Sequence, residues 1–299
     1  MKMIAFLSLL LLGVLPSLAG PLSGDGAQVS THAETFKFTE GPAEAPDGKI
    51  YFSDIPNQRI HVYDPASGKM RVHREHTGRA NGLMFDKDGN LLACEGGNRI
   101  FTREKEGKIS TLADTYDGKK LNSPNDLDID DHGGMYFTDP RYGSREDMEM
   151  RVEGVYYLSP RGQLVRIIDS LVRPNGVILS NDRKTLYVDD NGDQKIWAYE
   201  VQADGTVKNG RLLVDLKTVG AGGGDGMTMD EHGNVYLAGR GHVFAFSPAG
   251  QLIEKIAFPQ SPANCTFGGP DRKTLFATAR KGFYSIPMKV KGRKTVFDN

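Results

Sequence analysis

After its first twenty residues the chain is a succession of short apolar runs separated by polar turns. The runs include IYFSD (50–54), RIHVYD (59–64) and MRVHRE (70–75), then LYVDD (186–190), IWAYEV (196–201) and RLLVDL (211–216), and later VYLAG (235–239), HVFAFS (242–247) and LIEKIAF (252–258). They are rich in β-branched and aromatic residues, which fit a pleated surface. The turns PDGK, KDGN, DHGG, NDRK, EHGN and PDRK carry the Asp, Asn and Gly that tight hairpins require. No helical periodicity of useful length accompanies them.

The runs recur as a repeat. Its copies begin at Glu40-Gly41, Asn81-Gly82, Asn125-Asp126, Asn175-Gly176, Asp225-Gly226 and Asn264-Cys265, in steps of 41, 44, 50, 50 and 39 residues. That spacing suits four short antiparallel strands per unit and predicts an all-β, six-bladed propeller. The last copy supplies only CTFGG, TLFATA and GFYSIP. ETFKF at 34–38 is expected to add the missing strand and close the ring by pairing the two chain ends.

In a propeller the first strand of each blade lines the central channel. Glu40, Asn81, Asn125, Asn175, Asp225 and Asn264 then form a ring in which every side chain carries an oxygen. Two carboxylates among neutral amides suit one hard divalent cation, Ca²⁺ before Mn²⁺ or Zn²⁺. No His or Cys on the ring favours a soft metal. A hydrogen-bonded, water-filled channel is the alternative.

The N-terminus stands apart from the repeat. Lys2 precedes IAFLSLLLLGVL, and Ser17-Leu18-Ala19 offers small residues before Gly20, the layout of a secretory signal peptide. The run is shorter than the ~20 apolar residues of a membrane span. The expected organisation is a signal peptide over 1–19, a linker over 20–33 and the propeller over 34–299, exported to the periplasm or the exterior, with an uncleaved anchor as the alternative. A net charge of −1 without a long basic run disfavours nucleic-acid and membrane-surface partners. KVKGRK at 289–294 is expected to be a solvated tail. Cys94 and Cys265 are either a disulfide or two buried thiols. The oligomeric state is left open.

The stretches EGPAEAPDGKIYFSD, LNSPNDLDID with MYFTDPRYG, RPNGVILSND, GDGMTMDEHGNVYLA and NCTFGGPDRKTLFAT make this chain similar to the senescence marker protein/gluconolactonase/luciferin-regenerating enzyme family over roughly residues 34–288. The resemblance implies a six-bladed propeller, a sugar-lactonase activity, and Glu40, Asn175 and Asp225 as metal ligands. It implies that Asn125 binds metal or substrate, and it gives Asn81 and Asn264 no metal role. Ser123 stands where some members place an Arg that contacts sugar, so those members' preferences do not transfer.

Lewis-acid polarisation of a lactone carbonyl would need a base for the attacking water. Asp225 is the candidate, with Glu40 mainly balancing charge. Asn122, Asn125, Arg141 and Tyr142 are candidate substrate contacts, and Asp126 and Asp139 are expected to be structural. The insert GSREDMEMRVEG that follows Tyr142 is either a lid or a solvated loop. GAGGGDG at 220–226 resembles a phosphate loop by composition only, lacking the Lys-Ser/Thr pair and preceding a strand. The leading function is a metal-dependent lactonase acting on a sugar lactone such as gluconolactone. A phosphotriesterase-like hydrolase on the same site, or a non-catalytic exported binding propeller, are the alternatives.

Overall fold

The structure is a computed structural model that describes residues 21–298; the expected signal peptide lies outside the described residues. Six four-stranded antiparallel sheets are arranged around one axis, and except at the rim of blade six each strand is hydrogen-bonded to its sequence neighbour. From axis to rim, blade one runs Thr39–Glu44, Ile50–Asp54, Arg59–Asp64 and Lys69–Glu75. Blades two to five begin on the axis with Ala80–Phe85, Leu127–Ile129, Pro174–Leu179 and Met227–Met229, and blade six with Asn264–Gly268.

The apolar residues pack in six clusters, one in each seam between neighbouring blades. This explains why the middle strands read as nearly continuous apolar runs. In Met135–Asp139, Tyr136 enters the seam with blade four while Met135 and Phe137 enter the seam with blade two. Both faces are buried, so strand alternation sorts side chains between two cores instead of between core and water. Rim strands such as Lys108–Ala113 are mostly exposed and carry a weaker pattern. The two cysteines are buried free thiols in different seams, Cys94 between blades two and three and Cys265 between blades five and six.

The N-terminal strand does close the ring, but it is Ser30–Ala33, paired with Gly282–Pro287 at the rim of blade six. Residues 34–38 instead carry the chain from that rim to the axis. Three strand spacings of ~4.8 Å must be crossed, and five extended residues span ~17 Å. On the way Phe36 N–H donates to Lys281 O (3.2 Å) and Thr39 N–H to Arg280 O (2.8 Å). ETFKF alternates because Phe36 is buried against Phe52 and His61 while Lys37 is exposed. The stretch expected to be a linker therefore contributes to the propeller: Leu22 is buried in the seam between blades five and six, and Ser23 bridges to Met288.

The basic C-terminus is also not a solvated tail. It crosses the lower end of the channel as a strap, with Gly292 bridged to Asp230 and Arg293 N–H donating to Met229 O at 3.0 Å. The Arg293 guanidinium reaches Leu179 O (2.7 Å) and the buried Asp128 carboxylate (2.6 Å). Val296 and Phe297 pack on the seams flanking blade two.

Candidate metal centre and active-site cleft

Inner strands converge at the axis, and the glycine after four of the six ring positions, Glu40, Asn81, Asn175 and Asp225, reflects that crowding. A methyl group at Gly41 would collide with the Asn81 carbonyl, and one at Gly176 with that of Asp225. Two middle-strand hydroxyls fix ring carbonyls: Ser53 Oγ donates to Asn81 O (2.8 Å) and Thr138 Oγ1 to Asn175 O (2.7 Å). Backbone and side chains of the ring are thus positioned by packing between blades.

Glu40, Asn81, Asn125, Asn175 and Asp225 line one cleft of about 520 Å³ at the upper end of the channel. The sixth expected ring member, Asn264, reaches the Glu40 carboxylate with its side chain but does not line this cleft. Asn264 lines a small cavity on the strap side, where its Oδ1 accepts from Cys265 N–H at 2.8 Å. Asp126 shares that lower cavity and accepts from Leu127 N–H at 3.0 Å.

The charges at the centre are uncomfortable without a cation. Burial pushes the Glu40 carboxyl up to about 7, partly offset by the Gly41 N–H that donates to it at 2.9 Å. Burial, and then the Glu40 charge, raise Asp225 well above the ordinary carboxylate range. Neither has an ion-pair partner among the described residues. Asn175 Oδ1 is buried and accepts no protein hydrogen bond, while its Nδ2 donates to Tyr142 Oη at 2.7 Å. Tyr142 holds the amide in place, and the neighbouring Asp225 carboxylate, an acceptor only, favours the NH2 on its side, which leaves Oδ1 for a ligand. Two buried carboxylates, an unsatisfied amide oxygen and Asn125 beside them fit a hard divalent cation. Among the described residues no three His, Cys, Asp or Glu side chains cluster as a metal site, so a cation here would have to draw on amide oxygens as well.

The candidate substrate contacts fall into two groups. Asn125, Arg141 and Tyr142 line the cleft. Asn122 does not reach it: fully buried, it donates through Nδ2 to Asp139 O (3.2 Å) and Val152 O (2.9 Å). Ser123 lines the cleft in its place. Asp139 accepts from Asn122 N–H and Ser123 N–H, both at 2.7 Å, and holds the turn that presents Asn125. The insert is anchored at Met150, buried under Tyr156, and brings Asp147 to the cleft rim, where it pairs with Arg141.

Several residues of this region escaped the sequence reading. Asp189 holds the middle-strand position of blade four that Ser53 and Thr138 hold in theirs. It is fully buried behind Gly224-Asp225 with neither carboxylate oxygen hydrogen-bonded, and burial followed by the Asp225 charge raises it well above its ordinary range. Arg79 stands on the cleft itself, and Arg240 and Arg280 on an adjoining hollow. Repeat phase could have found the last two. Residues that follow the second strand of any blade emerge at the end where the ring side chains sit, and Arg240 and Arg280 follow Val235–Gly239 and Thr274–Ala279.

Comparison with known proteins gives a consistent picture. The family model of the SMP-30/Gluconolactonase/LRE-like region matches residues 38–281. A gluconolactonase of Zymomonas mobilis is 32% identical over 294 residues, covering 87% of this chain and 81% of that protein. A regucalcin of Xenopus laevis is 28% identical, covering 83% and 84%. Among solved structures, a gluconolactonase of Xanthomonas campestris superposes with a TM-score of 0.83 at 32% identity, over 89% of this chain and 91% of that one.

Proposed function

The chain belongs to the SMP-30/gluconolactonase/LRE-like family, and from that premise we propose that it is a metal-dependent lactonase that opens a small sugar lactone such as a gluconolactone. The observation that carries this reading is the pair of buried carboxylates, Glu40 and Asp225, sharing a cleft with the unsatisfied oxygen of Asn175.

Glu40, Asn125, Asn175 and Asp225 would hold one divalent cation. Oxygen-only donors favour Ca²⁺, with Mn²⁺ or Zn²⁺ as substitutes. Bound there, the cation supplies Lewis acidity to the lactone carbonyl. Asp225 accepts a proton from the water that adds to the carbonyl carbon. Collapse of the adduct breaks the bond from that carbon to the ring oxygen, which takes the proton back and leaves as a hydroxyl; the product is a hydroxy acid. Glu40 supplies the second compensating charge. Tyr142 holds the Asn175 amide, and Arg141, held by Asp147 and by Asn122 O at 2.9 Å, presents a fixed donor edge to the sugar.

The test is hydrolysis of a panel of aldonolactones, a simple aryl ester and a phosphotriester after chelation, with Ca²⁺, Mn²⁺ or Zn²⁺ restored in turn. Metal-restored turnover of lactones is expected. Turnover of the phosphotriester alone would favour the other hydrolase reading, and no turnover at all would favour a binding propeller. An Asp225→Asn enzyme that keeps its metal and full activity would remove Asp225 as the base. Export would follow from the signal peptide expected over 1–19, and N-terminal sequencing of the mature protein would locate the cleavage.

A further inference from the structure

A second hollow of about 270 Å³ opens beside the cleft, between blades five and six. Phe38 and Asp225 line both, so the two are compartments of one depression that meet at the proposed base. The floor of the second is the glycine-rich turn, Ala221 to Gly224, and its walls carry Arg240 and Arg280.

Three features give this compartment an anion-binding chemistry. The first is its cations. Arg141 and Arg173, on the far side of the mouth, are engaged by Asp147 and Glu153. Arg240 and Arg280 have no carboxylate within ion-pair distance among the described residues. Arg280 lies with its guanidinium carbon 5.6 Å from the Phe38 ring centroid. The Arg240 side chain runs beside Gly222, its Nε 3.9 Å from where a Cβ would stand.

The second feature is the backbone. Gly222 and Gly224 have φ of +80° and +77° with Gly223 between them. Alternation of hand along a turn makes successive N–H groups converge into a concave nest for anions. Among the described residues the N–H groups of Gly222, Gly223 and Gly224 donate to no protein acceptor. The third is rigidity. Asn191 Nδ2 donates to Gly224 O (2.7 Å), Arg240 N–H to Ala221 O (2.9 Å) and Lys255 Nζ to Val219 O (2.7 Å), so the turn is pinned to blades four and five.

We propose that this compartment is a subsite for an anionic substituent of the substrate, a phosphate or a carboxylate, recognised by Arg240, Arg280 and the Gly222–Gly224 backbone while the lactone lies at the Glu40–Asp225 centre. The proposal rests on the lactonase reading and adds to it the charge class of the substrate. Planar guanidinium groups match both anions, with two parallel hydrogen bonds available from each. A neutral sugar would leave both cations and three backbone donors to water.

The experiment compares metal-loaded enzyme on gluconolactone, on the same lactone carrying a terminal phosphate, and on the analogue carrying a terminal carboxylate. At least one anionic lactone should exceed the neutral one in kcat/KM by about tenfold, equivalent to ~1.4 kcal/mol. The margin should shrink as salt is raised. Which anion shows it identifies the group. Arg240→Gln and Arg280→Gln should each raise KM for that anionic lactone several-fold more than for the neutral one. Equal rates on all three, or variants that lower every rate in proportion, would overturn the subsite and leave the lactonase standing.

Calorimetric titration with the ring-opened acids reads the subsite without turnover. A phosphorylated aldonate or an aldarate should bind more tightly than the plain aldonate, and the two Arg variants should abolish the difference. Tighter binding without hydrolysis of any lactone would keep the subsite and sink the lactonase. No difference in binding would sink the subsite, whatever is hydrolysed.

Discussion

Arg293 of the C-terminal strap offers a stability test that can be worked from the structure. Its guanidinium is 2.6 Å from Asp128, a residue only 1% exposed. Asp128 also accepts from Leu179 N–H (2.6 Å) and Ile129 N–H (2.8 Å). Replacing Arg293 by Met keeps an apolar stem but leaves a carboxylate buried with only backbone donors. Breaking such a pair costs about 3–5 kcal/mol. With two donors remaining, the lower end, ~3 kcal/mol, is expected. Unfolding entropy of ~2.1 cal/mol/K per residue over roughly 280 residues converts this to a fall in Tm of about 5 °C.

Denaturant titration of wild type, R293M, D128N and the double variant closes a cycle. D128N should cost markedly less in the R293M background than alone, because it then removes a charge that has lost its partner. An R293M cost below ~1 kcal/mol, or strictly additive variants, would refute the claim that the strap is held by this ion pair.

Three further outcomes are expected. Tyr142→Phe removes one of the two contacts that hold the Asn175 amide, the Asp225 carboxylate being the other, and should weaken Ca²⁺ binding about tenfold by calorimetry; undiminished affinity would mean that Tyr142 does not orient the amide. Burial holds His32 and His61 below their ordinary pKa at the ring-closing seam, His61 with Asp54 acting against that shift and Arg59 adding to it. Below pH ~6.5 the unfolded chain therefore binds protons that the folded seam resists. Stability should be full above that pH and fall with acidification, and His61→Phe should flatten the slope by up to about 1.4 kcal/mol per pH unit; an unchanged slope would show that His61 is not buried neutral. Burial also pushes both thiols up, so a disulfide-exchange reagent should label Cys94 and Cys265 only after denaturation, and rapid labelling of native protein would contradict the packing.

The blades, their number and the five of six ring residues that line the cleft were legible because repeat phase converts directly into radial position. What was lost lay where that conversion fails. Ser30–Ala33 is an edge strand with two exposed and two half-buried residues, so it carries almost no apolar signal. ETFKF carries a strong one because a radial crossing can also bury every other residue. Asn122 and Ser123 are adjacent and both polar, and only the Asp139 turn decides which of them faces the cleft. Charge density misled at the strap, where Lys and Arg suggested water but Arg293 answers a buried Asp128. Asp189 was hidden inside LYVDD, where a carboxylate stands in a hydroxyl's place.

The six seams have a consequence for how such a protein can change over generations. Cohesion resides in wedges that radiate from the axis, so the shaft they enclose does not have to be greasy for the chain to fold. Ring positions and the rim turns above them are then open to substitution largely independently of the seams. A lineage can exchange an amide for a carboxylate at the centre, or add arginines at the mouth as at positions 240 and 280, without redrawing the scaffold. Separating what holds the molecule together from what it acts on lets one architecture trial new substrates by small steps.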